Sequence, residues 1–194
     1  MPHPDPELTV YLMWGVWVLC WHIAALWTAP VVARSRTPWV VPFIVASIVG
    51  FVLLLGFFQP GHKQPFHLWD AGEQANWAFV SLAALGFTFM VWARVHLGKL
   101  WSGGVTRREG HRVVDSGPYA IVRHPIYTGL LIAGLGTVLI KGTALSLAGL
   151  GVLTVIYVIK ARLEERFLRD ELGAEAYDAY ARRVPMLFPR INNA

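Results

Sequence analysis

Cysteine is almost absent: Cys20 is the only one among 194 residues, so no intrachain disulfide can form and the redox compartment is not indicated. It falls inside an apolar run, where a thiol usually serves as a small hydrophobe rather than a nucleophile. His22, two residues on, would point elsewhere on a helix. Charge is scarce as well. Only 15% of residues are charged against 55% hydrophobic, with a mean hydropathy of +0.47, too apolar for an ordinary soluble domain. Neither a G-x-G-x-x-G after a strand nor a P-loop is present, which removes the common soluble nucleotide folds. The seven histidines lack metal-ligand spacing, with His62 and His67 the nearest to a weak site, and no metal is expected. No aromatic-interleaved basic patch supports nucleic-acid binding.

What is there is a set of long apolar runs. A membrane span needs roughly 20 mainly apolar residues, and Val10–Val32, Trp39–Phe58 and Trp77–Val95 qualify. Gly129–Ile140, extending back to Pro125, and Thr143–Ile159 are separated by Lys141-Gly142, the pattern of a helical hairpin. The expected fold is an all-α integral membrane protein with about five transmembrane helices. Trp14, Trp17 and Trp21 form a helical stripe that reads as lipid or helix packing. Gly134-Leu135-Gly136 and Gly149-Leu150-Gly151 read as close helix contacts.

Of the 17 basic residues, all but Lys63 and Lys141 fall in the first loop, the third loop and the tail. The positive-inside rule then puts the N-terminus outside and the third loop and C-terminus in the cytoplasm, in an inner or plasma membrane. The Met1–Thr9 segment has no basic leader, so the first span is expected to be retained. This asymmetry explains the pI near 9.7 without nucleic acid.

Two polar regions carry the chemistry. His96–His124 is glycine-rich yet contains Trp101, Val113, Val114, Tyr119 and Ile121. Long loops of this kind are usually functional, and we expect a folded cap. At its end comes Arg123-His124-Pro125-Ile126-Tyr127-Thr128-Gly129. Proline suits the first helical position, which places His124 near the N-cap and leaves the N–H groups of Ile126, Tyr127 and Thr128 without intrahelical partners. Free donors at the positive end of a helix form an anion site. The plain alternative is a membrane flank of basic residues.

The tail begins Arg162-Leu163-Glu164-Glu165-Arg166. On a helix, Leu163, Phe167, Leu168 and Leu172 share one half, and Glu164 lies in its middle, where a carboxylate needs a partner. Glu165 stands four residues before Arg169, in the order favoured for an exposed ion pair. Gly173 suits a helix end, and a second short helix over Ala174–Arg182 is expected before Pro185 and Pro189.

These residues resemble the isoprenylcysteine carboxyl methyltransferase family, itself similar in its C-terminal half to phospholipid N-methyltransferases. The matching elements are Leu97-Gly98, Ser116-Gly117-Pro118-Tyr119, Arg123-His124-Pro125-x-Tyr127-x-Gly129, and Glu164-Glu165 followed by Leu168, Gly173, Tyr177, Tyr180 and Pro189. Leu172 departs from the aromatic residue such tails often carry. The resemblance, from His96 to Ile191, implies a membrane methyltransferase that binds S-adenosylmethionine in a pocket capped by the loop and tail. It implies that Tyr119, His124, Tyr127, Glu164 and Glu165 hold the cofactor and that Arg123 and Glu164 serve catalysis. It divides the chain into membrane spans 1–95 and a catalytic region 96–194 that includes the hairpin 125–160.

Arg94, Arg123 or Arg162 could grip a carboxylate acceptor through bidentate bonds. The expected partners are a lipophilic small-molecule or lipid substrate and membrane lipids, with neither nucleic acid nor a protein partner. The competing readings are an NADPH-dependent membrane reductase related to sterol reductases and a non-catalytic membrane scaffold.

Overall fold

The computed structural model describes residues 4–34, 39–56, 66–104, 106–109 and 112–189. Phe58, His62, Lys63 and Ile191, all used above, lie outside the described residues.

Helix α1 (Pro6–Ala25) starts where Asp5 caps it, its carboxylate accepting from the Glu7 N–H at 2.8 Å, with proline at the first position. It ends at Ala25, short of the expected Val32, because the chain turns into a strand, β1 (Val31–Arg34). Helices α2 (Val40–Leu55) and α3 (Glu73–Leu97) follow. The loop after α3 makes a single tight turn at Gly98–Leu100 and a strand, β2 (Thr106–Arg108), that pairs antiparallel with β1. This two-stranded ribbon was not foreseen in an otherwise helical chain, since each strand is too short to show an alternation. The one-turn α4 (Pro118–Ile121) leads to α5 (Pro125–Lys141), α6 (Ala144–Leu172) and α7 (Ala174–Arg183).

Among the described residues α1, α3 and α6 are long and apolar enough to cross a membrane, while α2 and α5 are shorter apolar helices. The protein is a helical membrane protein. Helix α6, with 29 residues, exceeds the roughly 20 a bilayer needs. Its charges begin at Lys160, so its last turns project from the apolar layer. The hairpin is as expected: Gly142 ends α5 in a left-handed conformation, and Thr143 caps α6 by accepting from the Ser146 N–H at 3.1 Å.

Two helix pairs make the core, α3 with α5 and α2 with α6. On α3, a Cβ at Gly86 would lie 2.5 Å from the Gly129 carbonyl oxygen of α5, so the two backbones touch. Gly149 of α6 is pressed against the backbone of α2 at Gly50 and Leu54 in the same way. Small residues let helices approach closely where apolar burial gives no advantage over lipid.

The tryptophan stripe of α1 faces inward. Trp14 is buried, donates its indole N–H to Thr137 of α5 at 3.0 Å, and stands edge-on to Phe51 and Phe87 at 5.4 and 4.9 Å between ring centres. At the hairpin end of the bundle, buried Lys141 donates to the Tyr11 hydroxyl at 2.7 Å and to Glu7 at 3.3 Å, tying the start of α1 to the turn. At the opposite end Arg94 is buried and donates to the carbonyls of Ala24, Trp27 and Gly98. The free carbonyls of the α1 C-terminus thereby gain a cation.

Candidate active site

A cavity of about 300 Å³ opens at the end of the bundle where the third loop and the tail meet. Its polar wall is built on α5 and α6. His124 occupies the N-cap position of α5, but its side chain makes no cap; Pro125 follows at the first helical position as expected. The Thr128 N–H does not stay free: it donates to the His124 carbonyl at 3.0 Å. The expectation had counted one residue too many, because the fourth helical N–H already closes the first turn.

The His124 ring lies parallel to that of Tyr127, 3° apart in plane and 5.4 Å between centres. Its Nε2 is 3.1 Å from the Glu165 carboxylate and its Nδ1 3.8 Å from that of Glu164. Both ring nitrogens of His124 thus face carboxylates, which can only accept. Tyr127 donates its hydroxyl to Glu164 at 2.7 Å, and the Lys160 ammonium stands 3.6 Å from the same carboxylate. Lys160 also donates to the Gly103 carbonyl of the loop at 2.9 Å and lies 4.7 and 5.3 Å from the ring centres of Phe43 and Tyr127.

Glu164 therefore lines the cavity with partners around it, as its helix phase required. Glu165 overturns its expectation. It is not an exposed partner of Arg169; it accepts from Arg123 Nε at 2.7 Å and from His124, with its side chain 18% exposed. Arg169 instead pairs with Asp178 of α7 at 2.8 Å, because that helix folds back against α6. Burial alone would raise the Glu165 carboxyl. The hydrogen bonds from His124 and then Arg123 outweigh it and hold the group well below the usual carboxylate range.

Arg123, for which a catalytic role was expected, donates to the Glu165 carboxylate. It borders the cavity, but besides Glu165 its guanidinium donates to the carbonyls of Ala181 and Val184. Its backbone N–H donates to Pro185 at 2.8 Å, that of His124 to Met186 at 3.1 Å, and the Thr128 hydroxyl to Leu187 at 2.7 Å. The tail thus runs as a strap along the motif. Tyr180 extends it, donating to the Tyr119 carbonyl at 2.8 Å, and burial pushes the phenols of Tyr119, Tyr177 and Tyr180 up. All of Tyr119, Arg123, His124, Tyr127 and Glu164 line the cavity, with Glu165 behind them.

Of the arginines considered for an acceptor, Arg94 is held by the carbonyls of Ala24, Trp27 and Gly98, and Arg162 is exposed and does not line the cavity. Trp17, Trp21, Phe43, Trp101 and Lys160 are cavity residues that sequence reasoning missed. The stripe of α1 was legible as an inward or lipid face, but only the fold shows that two of its rings end on a hollow. His67 pairs through its backbone with Thr143, far from this site.

The fold is that of a helical membrane protein with a cavity at one end of its bundle, a polar wall of His, Tyr and Glu facing an aromatic one. Residues 79–170 match the isoprenylcysteine carboxyl methyltransferase family. It is 33% identical over 150 residues to a cobalt-zinc-cadmium resistance protein of Cupriavidus metallidurans, covering 75% of this chain and 62% of that one. It is 29% identical over 159 residues to protein-S-isoprenylcysteine O-methyltransferase B of Arabidopsis thaliana, covering 77% and 73%. A shorter match, 43% over 75 residues, is to a methanethiol S-methyltransferase of a Pseudomonas species, covering 38% and 27%. The chain thus spans under two thirds of the first of these relatives and about three quarters of the second.

Proposed function

We propose that the protein is an integral membrane methyltransferase that uses S-adenosylmethionine and acts on a lipophilic acceptor. The observation that carries the reading is Glu164: a carboxylate brought to the wall of a largely apolar cavity and held there by Tyr127 beside the α5 N-terminus. Such an arrangement offers a carboxylate to a ligand cation and a helix N-terminus to a ligand anion within one chamber. A zwitterionic ligand with a sulfonium fits that donor set. When bound, it supplies an electrophilic methyl group on positively charged sulfur.

In this reading Glu164, Tyr127 and His124 bind and orient, and Tyr119 closes the polar end. Glu165 and Arg123 hold His124 and the tail in place and touch no substrate, so Arg123 is a positioning residue. Transfer then depends on alignment of the acceptor atom within the chamber more than on a dedicated base. The division at residue 95 takes a functional meaning: 96–194 supplies the cofactor end, while α1 and α2 lend Trp17, Trp21 and Phe43 to the acceptor end. The crowding of basic residues on the loop-and-tail face supports a cytoplasmic site and an outside N-terminus in an inner or plasma membrane.

The test is calorimetric titration of the detergent-solubilised protein with S-adenosylhomocysteine. Micromolar binding is expected. Glu164→Gln should weaken it by about tenfold to a hundredfold, the value of about 1.5–3 kcal/mol for a charged hydrogen bond, with the fold retained by circular dichroism. No binding to the wild type, or unchanged binding to the variant, overturns the reading.

A further inference from the structure

The side of α6 that faces away from the bundle can be followed from inside the apolar layer to beyond it. Ala148, Gly151 and Val155 are exposed, Val155 at 60%, and a Cβ at Gly151 would meet nothing within 4 Å. At about 100° per residue these three fall within about 60° of one another, and Arg162, Arg166 and Arg169 continue the same line. The buried residues Ser146, Gly149, Leu153, Ile156, Tyr157 and Ala161 occupy the other sides. An exposed apolar line on a membrane-spanning helix faces acyl chains. The three arginines therefore stand over the lipid that this side of α6 touches.

Height puts two of them at headgroup level. Along the helix from Ala144, Arg162 lies about 27 Å and Arg166 about 33 Å away, against a hydrocarbon core of about 30 Å. Arg169 lies farther out and is taken by Asp178. Arg162 and Arg166 are also the exception in how basic groups are satisfied. Arg94 is held by carbonyls, Arg123 by Glu165, Lys141 by Glu7, Lys160 by Glu164 and Arg183 by Asp115. Among the described residues Arg162 and Arg166 are exposed and have no ion-pair partner. Two like charges one helical turn apart repel each other. A phosphate between them removes that repulsion, and the guanidinium fork matches its oxygens.

We propose that Arg162 and Arg166 bind the headgroup of an anionic phospholipid seated against the outer side of α6. Its acyl chains lie along Val155, Gly151 and Ala148, and its phosphate sits between the two guanidinium groups. The site is outside the cavity and does not depend on the methyltransferase reading. Glu164 projects from the opposite side of the same turns, so the bound headgroup holds the part of α6 that carries the polar wall at a fixed height in the membrane.

The test counts bound lipid by native mass spectrometry while the detergent-solubilised protein is titrated with phosphatidylglycerol or phosphatidylcholine of the same acyl chains. Both lipids carry a phosphate, and only the first has a net charge. One phosphatidylglycerol should be retained about tenfold to thirtyfold more tightly than phosphatidylcholine, at about fivefold per arginine. Arg162→Gln with Arg166→Gln should abolish the preference. Arg162→Lys with Arg166→Lys should keep part of it, because the charge stays and the fork is lost. Lys99→Gln with Arg182→Gln removes two exposed charges from the same end of the bundle and should leave the preference intact. Equal retention of the two lipids by the wild type overturns the proposal. An equal loss in the Lys99 and Arg182 variant overturns it too, by reducing the effect to net charge. Displacement of phosphatidylglycerol by equimolar inorganic phosphate would reveal an anion site that needs no lipid, and would overturn it likewise. Should the glutamine pair not stay folded by circular dichroism, the wild-type preference and its partial loss in the lysine pair carry the same decision.

Discussion

The two ends of the bundle both bury charge, and they do so to opposite effect. At the hairpin end Lys141 meets Glu7 and Tyr11, every group facing another, and none of the three lines the cavity described above. At the loop-and-tail end Arg123, His124 and Glu165 pair in the same way, but Arg123 and His124 also border the cavity, and Glu164, one residue from Glu165, faces it. A buried charge needs a partner wherever it sits. The difference is that the first cluster is an end in itself, whereas the second holds its neighbour in place. Buried ion pairs alone therefore do not mark a site; under the proposed function, the feature that sets this end apart is an ion pair backing a carboxylate that faces a cavity.

The comparison breaks most easily at Arg123. Arg123→Ala leaves Glu165 half-paired and frees the tail carbonyls, and removal of one partner from a buried pair typically costs about 3–5 kcal/mol. We expect a lowered thermal midpoint in detergent together with weakened binding of S-adenosylhomocysteine. Tryptic cleavage within residues 181–187 should be faster. A variant with unchanged cleavage would show that the strap does not depend on Arg123.

Acid should act on the same end by a smaller step. Glu165 has a folded-state value depressed from about 4.5 to about 2. The sign follows from linkage: its contribution is fully present above the unfolded value, and is lost as pH falls from about 4.5 towards about 2. Thermal midpoints of the wild type and Glu165→Gln should therefore differ by a constant amount above about pH 5 and converge below it. A gap that stays constant down to pH 3 would show that His124 and Arg123 do not hold this carboxylate.

The smallest effect is expected at the opposite end. Lys141→Met keeps the apolar stem and leaves Glu7, whose side chain is 26% exposed, within reach of water, so a loss of about 1–2 kcal/mol or less is expected. Affinity for S-adenosylhomocysteine should be unchanged. A loss of affinity there would mean that the two ends are coupled through α5.

How far the sequence discloses this can be judged residue by residue. The hairpin and the start of α5 were legible because glycine and proline act locally: Gly142 takes a left-handed conformation and Pro125 fits the first helical turn. The inward placement of Glu164 was legible from helix phase. The partner of Glu165 was not. Its neighbour Arg169 satisfied the local rule, yet Asp178 of the following helix takes that arginine, and only the return of the tail brings Arg123 to Glu165. Trp17 and Trp21 share the period of any packed helix face, and nothing local tells a ring against a core from a ring against a cavity. The β1–β2 pairing joins segments far apart in the chain, where each strand is too brief to carry a pattern.

The strap has a consequence for the order of biosynthesis. Arg123 is completed by carbonyls about sixty residues further along, so its cluster cannot close while those residues are still inside the ribosome. The apolar helices can enter the membrane first, and the polar end of the chamber is assembled afterwards as the tail docks. A nascent chain would then sit in the bilayer with its ligand chamber unsealed, and ligand affinity would arise in a late step rather than growing helix by helix.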